Sequence, residues 1–352
     1  MMATEAIPGE ATAHQTADTL AAFEAELASQ SMEGHWQEAV NLPHEPYVHF
    51  RPNLWKWDVI ERQLFRAGEL VPIQGNDARR TLRLLNPGRK ATTHTIHMSV
   101  QLVKPGEIAG AHRHTLAALR FVVQGAGAST TVEGERFRLR SGDLILTPQW
   151  TYHDHANDTA EPIIWLDGLD SPLVMGALDA LFFEEFSAPA QPITRPDGWT
   201  LAQSGLARPV RYGGTPASPT AYYPWAQIEP ELLRLAAAEG SPHDGAVLEY
   251  VNPFTGRPTM PTIGCWVQLL RPGERTRRHR HTSCSIYHVV RGRGCTTVGD
   301  TRLEWTQGDV FTVPNWSWHA HENASPTEDA VLFSMNDIPI YQAFGLYREQ
   351  AE

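Results

Sequence analysis

One histidine pattern is written twice in this chain. Residues 106–114 read GEIAGAHRH and residues 142–157 read GDLILTPQWTYHDHAN. About 166 residues later stand GERTRRHRH (273–281) and GDVFTVPNWSWHAHEN (308–323). Each copy holds an H-x-H pair and, 38 or 39 residues on, a third histidine: His112, His114 and His153, then His279, His281 and His319. A repeat of this length implies two like domains. Three imidazoles gathered from separate strands form one face for a divalent transition metal and leave coordination positions open.

The segments around the histidines read as short strands. In ERFRLR, Phe137 and Leu139 point one way while Arg136, Arg138 and Arg140 point the other, as in a half-buried strand. SVQLVKPGE, ALRFVVQGAGASTTVEGERFRLRSGDLILTP and EPIIWLDGLD are punctuated by Gly and Pro turns, and WVQLLRPGE, SIYHVVRGRGCTTVGDTRLEWTQGDVFTVP and AVLFSMND repeat the grammar. Many short, evenly spaced strands predict an all-β fold of two double-sheet jelly-roll barrels. The expected layout is an N-terminal helical and aromatic arm over 1–91, a first β module over 92–175, a mixed connecting segment over 176–258 and a second module over 259–345. Within the arm, Leu20, Phe23 and Leu27 in DTLAAFEAELASQ keep helical spacing, with Asp18 as the expected N-cap. The tryptophan- and proline-rich stretch 36–66 suits packing on a domain or on a neighbouring subunit, and PELLRLAAAEG is a helix of the connecting segment.

Charge and cysteine usage exclude some classes of function. Of 352 residues, 29 are basic and 40 acidic, giving −11, which argues against a nucleic-acid partner. No apolar run approaches the ~20 residues of a membrane-spanning helix, and MMATEAIPGEATAHQTADTL lacks a signal-peptide pattern. The odd set Cys265, Cys284 and Cys295 suits reduced thiols in a cytoplasm, and Cys284 and Cys295 suit small core positions equally well.

Gly106, His112 and His114, then Gly142, Pro148, His153 and Asn157, with Gly273, His279, His281, Gly308, Pro314, His319 and Asn323 in the second copy, resemble the paired motifs of cupins. Both copies depart from the usual pattern: the glutamate after H-x-H is absent, and Trp150 and Trp316 replace a glycine. With HRHTLAALRFVVQGAG, GDLILTPQWTYHDHAND, WLDGLD, RRTLRLLNPG and PYVHFRPNLWKWD, the chain resembles gentisate 1,2-dioxygenases and their salicylate and hydroxynaphthoate relatives over roughly residues 45 to 340. The resemblance implies a bicupin that uses Fe(II) and O2 to open the ring of a 2-hydroxybenzoate, usually as a homotetramer.

Aligning the repeats makes them unequal. Arg120 corresponds to Tyr287, and Asp167 is matched to Phe333, whereas His155 keeps a counterpart in His321. An inward arginine suits a carboxylate through paired hydrogen bonds. The resemblance implies that Arg120 contacts the substrate carboxylate, that His155 assists with the phenolic proton and that Asp167 orients the ring. His155 has the ordinary pKa range of a proton shuttle. Strand alternation alone leaves the side on which Arg120 points open. Arg79, chosen from Arg79, Arg80 and Arg83, is a second carboxylate contact, and Gln101 lines the pocket or packs. Catalysis is therefore expected in the first module, with His112, His114 and His153 as metal ligands. His279, His281 and His319 hold a second metal or persist as a hydrogen-bonded relic. The family commonly has Tyr or Trp at residue 97, so His97 changes the pocket wall and could accommodate a 5-substituent, as in gentisate or 5-nitrosalicylate. The rival readings are an isomerase or decarboxylase, which generally retains the missing glutamate, and a ligand sensor or storage bicupin. A sensor would be expected to carry a basic DNA-binding segment, and storage bicupins generally lack a complete triad.

Overall fold

A computed structural model describes residues 10–36, 42–73, 79–202 and 222–352. The chain divides into two units, Met1–Tyr47 and Val48–Glu352. In the first, a helix spans Glu10–Ser29. It starts earlier than expected, because alanines in EATAHQTAD continue the helical run, so Asp18 lies within the helix and is not its N-cap. Trp36 stacks on Phe23 at 6.0 Å and donates Nε1–H to Glu24 at 3.2 Å.

Among the described residues, the second unit holds four antiparallel sheets, two per repeat. The first repeat pairs a six-stranded sheet, ordered Tyr222–Tyr223, Leu144–Thr147, Ala118–Gln124, Ile163–Leu169, His97–Val103, Arg80–Arg83, with a five-stranded one, ordered Phe183–Glu185, Ile108–His114, His153–Ala156, Ala126–Val132, Glu135–Arg140. The second repeat has the same plan. Its six-stranded sheet runs Asn53–Trp55, Val310–Val313, Ser285–Arg291, Ala330–Asn336, Gly264–Leu270, Ala246–Glu249. Its five-stranded sheet runs Thr301–Thr306, Arg293–Val298, His319–Asn323, His279–His281, Glu349–Ala351. Strands ahead of residues 92 and 259, at Arg80–Arg83 and Ala246–Glu249, already belong to these sheets.

The repeats exchange edge strands. Asn53–Trp55 precedes the first module but pairs with Val310–Val313 of the second, and Tyr222–Tyr223 pairs with Leu144–Thr147 of the first. The helices that follow, Trp57–Leu70 and Trp225–Ala238, turn back onto the first and second six-stranded sheets respectively. Each crossing is fastened alike. Trp57 N–H donates to Asp309 at 2.8 Å and Trp225 N–H to Asp143 at 2.9 Å. The indole of each tryptophan lies over Gly308 or Gly142, where a positive φ and the missing Cβ admit it. Residues 53–57 of the aromatic stretch thus dock within their own chain.

The two six-stranded sheets share one core in which Phe121 stacks on Phe333 at 4.1 Å. Each module keeps a further core between its own two sheets. Strand Ala118–Gln124 is therefore covered on both faces. Leu119 and Phe121 face the other module, whereas Val122 faces its own interior, the same side as Arg120. Two matched links also join the modules: Asp170 accepts hydrogen bonds from Ala117 N–H and Thr262 Oγ1–H, and Asp337 accepts them from Cys284 N–H and Thr95 Oγ1–H.

Candidate active site

The metal-ligand pattern is built by strand pairing. His112 and His114 lie on Ile108–His114, and His153 opposite His112 begins His153–Ala156. Each imidazole is aimed from behind by a backbone carbonyl: Nδ1 of His112 faces Gly110 O at 2.8 Å, that of His114 faces Leu116 O at 2.9 Å and that of His153 faces Thr151 O at 3.0 Å. Such contacts fix the ring and leave Nε2 to the metal. The ligand atoms lie within 4.8 Å of one another, all three residues are buried, and His153 Nε2 has no hydrogen-bond partner among the described residues. Burial lowers the pKa of His112 to about 3 and of His114 to about 4, and holds that of His153 well below the usual value. Neutral imidazoles with an orphaned inward nitrogen fit a divalent cation.

The triad opens on a cavity of about 450 Å³. Arg79, His97, Gln101, Arg120, His155 and Asp167 all line it, together with His112 and His114. Arg120 is 6% exposed and points inward. Its Nε is 3.1 Å from Asp167 Oδ1, and Nη1 donates to Thr147 Oγ1 at 3.0 Å. Burial pushes the Asp167 carboxyl up to about 6, against the pull of Arg120. His155 Nδ1 is 2.8 Å from Thr130 Oγ1 and its Nε2 is unpartnered among the described residues. Its pKa departs from the ordinary range expected above, because burial, then Arg120, holds it well below 6.5. The ring is therefore held neutral. Gln101 Oε1 accepts Trp165 Nε1–H at 3.3 Å, and Arg79 stands 3.1 Å from His112 Nδ1. Burial, then Arg83, lowers the pKa of His97.

The cupin-domain family model matches residues 99–168 and 266–336. The chain is 43% identical over 341 residues to the 5-aminosalicylate 1,2-dioxygenase of Comamonas sp., covering 94% of this chain and 90% of that one. It is 38% identical over 349 residues to the 1-hydroxy-2-naphthoate 1,2-dioxygenase of Nocardioides sp. (strain KP7), covering 96% and 89%. The crystal structure of salicylate 1,2-dioxygenase from Pseudoaminobacter salicylatoxidans with gentisate superposes with a TM-score of 0.86 at 31% identity, over 100% of this chain and 96% of that one. The chain belongs to the gentisate and salicylate 1,2-dioxygenase family of bicupins.

Within this dioxygenase the repeat alignment needs one correction. Arg120 pairs with Asp167 across the sheet, and Tyr287 pairs with Ser334, so Asp167 corresponds to Ser334 and not to Phe333. The loop after Asn323 is one residue longer than the loop after Asn157, which shifts the following strand by one place. Phe333 instead faces the other module.

Cavity residues outside the expected set include Arg83, Leu181 and Phe183. Arg83 had a readable signal, since Arg79, Thr81 and Arg83 alternate along one edge. The intervening Arg80 turns away into a part-buried ion pair with Glu107. Phe183 comes from the connecting segment: Phe183–Glu185 pairs with the H-x-H strand, and its ring stacks on His112 at 5.2 Å. Only the long-range pairing places it.

The tryptophans that replace the motif glycine keep a glycine-like backbone, with φ of 62° at Trp150 and 50° at Trp316. Their N–H groups donate to the carbonyls of His114 and His281, and Arg113 and Arg280 lie over the indoles at 5.2 and 4.4 Å. These contacts offset the left-handed strain. His279, His281 and His319 form a second buried triad. A third cluster, His94, Cys284 and Asp337, is internally satisfied: Asp337 belongs to the module link, and His94 Nε2 is 2.9 Å from Tyr341 Oη. All three cysteines are buried and free. No described helix is long and apolar enough to cross a membrane.

Proposed function

We propose that this dioxygenase opens a 2-hydroxybenzoate, either gentisate or a 5-substituted salicylate such as 5-nitrosalicylate, between the carboxylate-bearing and hydroxyl-bearing carbons. The first module, 92–175, is the catalytic one, and His112, His114 and His153 hold Fe(II) there. The observation that carries the reading is that the arginines, His155, Asp167 and two metal-ligand candidates line one cavity. Iron bound by the triad would bring the ring and O2 together and let electrons pass from one to the other.

The chain's own residues do the rest. Arg120 receives the substrate carboxylate, with Arg79 as a second contact at the cavity mouth. Asp167 holds the Arg120 fork in place and thereby orients the ring. His155, held neutral, accepts the phenolic proton at Nε2. Gln101 and His97 shape the wall, His97 opposite the 5-substituent. Both atoms of O2 end in the ring-opened product, one in a 2-oxo acid and one in a new carboxylate. The 5-aminosalicylate enzyme at 43% identity supports a 5-substituted substrate.

The enzyme works as a cytoplasmic homotetramer. Three free thiols support a reducing compartment, and exposed Leu178, Phe182, Phe344 and Leu346 support assembly. Light scattering of the purified protein checks the subunit number. O2 uptake by Fe(II)-reconstituted enzyme tests the activity against gentisate, salicylate, 5-substituted salicylates and 1-hydroxy-2-naphthoate. Uptake with a ring-opened product is expected, and iron-loaded enzyme inert toward all of them would sink the reading.

A further inference from the structure

The second triad faces a pocket of opposite charge. Strand register supplies the correspondence. Arg83 pairs with Ser99 where Glu249 pairs with Trp266, and Phe183 pairs with His114 where Glu349 pairs with His281. Arg120 is likewise replaced by Tyr287, which stacks in the core on Phe311. The first cavity thus offers guanidinium groups and an aromatic wall. The second, of about 220 Å³, is lined by Asp244, Glu249 and Glu349, with no lysine or arginine among its described lining residues.

Two of the three ring supports are kept, while Nδ1 of His279 has no hydrogen-bond partner among the described residues. Nδ1 of His281 faces Ser283 O and that of His319 faces Ser317 O, each at 2.9 Å, matching the supports of His114 and His153. His319 Nε2 is buried and unpartnered among the described residues. The carboxylate of Asp244 joins this face: Ser241 Oγ donates to its Oδ2 at 3.1 Å, and its Oδ1 lies 3.6 Å from His279 Nε2. Two donors bound at about 2.1 Å to one ion lie roughly 3–3.5 Å apart. Asp244 lies just beyond that spacing and from one ligand alone, so it stands beside the triad as the acidic neighbour of His279.

We propose that His279, His281 and His319, with Asp244 beside them, hold a divalent metal ion in a pocket closed to anionic aromatic acids. The chain then carries two metals and a single ring-cleaving centre. Three carboxylates already outweigh a divalent charge, so a 2-hydroxybenzoate anion finds repulsion where the first cavity offers arginine. The ion instead fastens the turn after helix Trp225–Ala238 to the H-x-H strand, beside the bond from Arg277 N–H to Pro242 O at 2.7 Å. This inference holds whichever aromatic acid the first site takes.

Chelator-treated full-length protein is titrated with Co(II), following its visible absorption, with metal content measured in parallel. Wild type should bind two equivalents and His153→Ala one, and Asp244→Asn should weaken the second equivalent by about tenfold or more. Gentisate should alter the wild-type spectrum and leave that of Co(II)-loaded His153→Ala unchanged. Saturation of wild type at one equivalent, an unweakened second equivalent in Asp244→Asn, or a gentisate-induced change in His153→Ala would each overturn the proposal. Should His153→Ala fail to fold, wild-type stoichiometry and Asp244→Asn still decide it.

Discussion

Arg120 Nε lies 3.1 Å from Asp167 Oδ1, and the two residues are direct partners on adjacent strands lining the first cavity. With Nη1 engaged by Thr147, the outer guanidinium N–H groups remain for a carboxylate. Lysine would keep the charge but lose the fork. Arg120→Lys should raise KM for a 2-hydroxybenzoate by about 10–100-fold, the size of one lost charged hydrogen bond, with iron content unchanged. A KM within twofold of wild type would remove Arg120 from carboxylate binding.

His112 lies beside the other two ligand histidines and is backed by Gly110 O. Alanine deletes one of three ligands and leaves nothing in the described structure to replace it. Iron at the first site and ring cleavage should be lost together in His112→Ala, read as metal content and O2 uptake on one preparation. Activity surviving the loss of that iron would refute the ligand assignment.

His155 is held by Thr130 at one nitrogen and left open at the other. His155→Gln keeps a polar side chain but not an imidazole acceptor. Its kcat should fall by about 10²–10⁴-fold, while the iron content stays. A fall in kcat that tracks iron loss would make His155 a support of the triad and not the proton acceptor.

Much of this was legible because local rules and tertiary structure agree. The two histidine triads follow from spacing, since a strand puts His112 and His114 on one face wherever it lies. Arg120 was ambiguous for a physical reason: its strand is buried on both faces, so alternation carries no polar side to mark the interior. The exchanged strands Asn53–Trp55 and Tyr222–Tyr223 are illegible locally, because both pair with partners contributed by the other module. The same holds for Phe183 and Asp244, which reach their sites through pairing and turn geometry. The misalignment of Asp167 came from one extra loop residue, which only register reveals.

His97 lines the cavity with Nε2 unpartnered among the described residues, and burial beside Arg83 keeps it neutral. A tyrosine there would fill more of the wall and move the polar atom outward. His97→Tyr should shift the ratio of kcat/KM between gentisate and 5-nitrosalicylate by roughly 10-fold, the worth of one hydrogen bond at about 1 kcal/mol or slightly more. Steady-state O2 uptake with both substrates measures it. An unchanged ratio would mean that the 5-substituent lies elsewhere.

Asp170 is fully buried at the junction of the modules, where it accepts hydrogen bonds from Ala117 N–H and Thr262 Oγ1–H. Burial, opposed by these bonds, raises its pKa to about 6, above the roughly 3.9 of an unfolded aspartate. A raised folded-state pKa adds stability that is fully present below the unfolded value and is lost as pH rises through about 6. Asparagine keeps the acceptor for Ala117 and does not titrate. The stability of wild type relative to Asp170→Asn should therefore be greatest below pH ~4 and decline to a plateau above pH ~7, by at most roughly 3 kcal/mol. Calorimetric Tm values of both proteins across that range test it. A difference that stays flat, or that grows toward alkaline pH, would show that Asp170 is ionised at the junction and that its hydrogen bonds outweigh its burial.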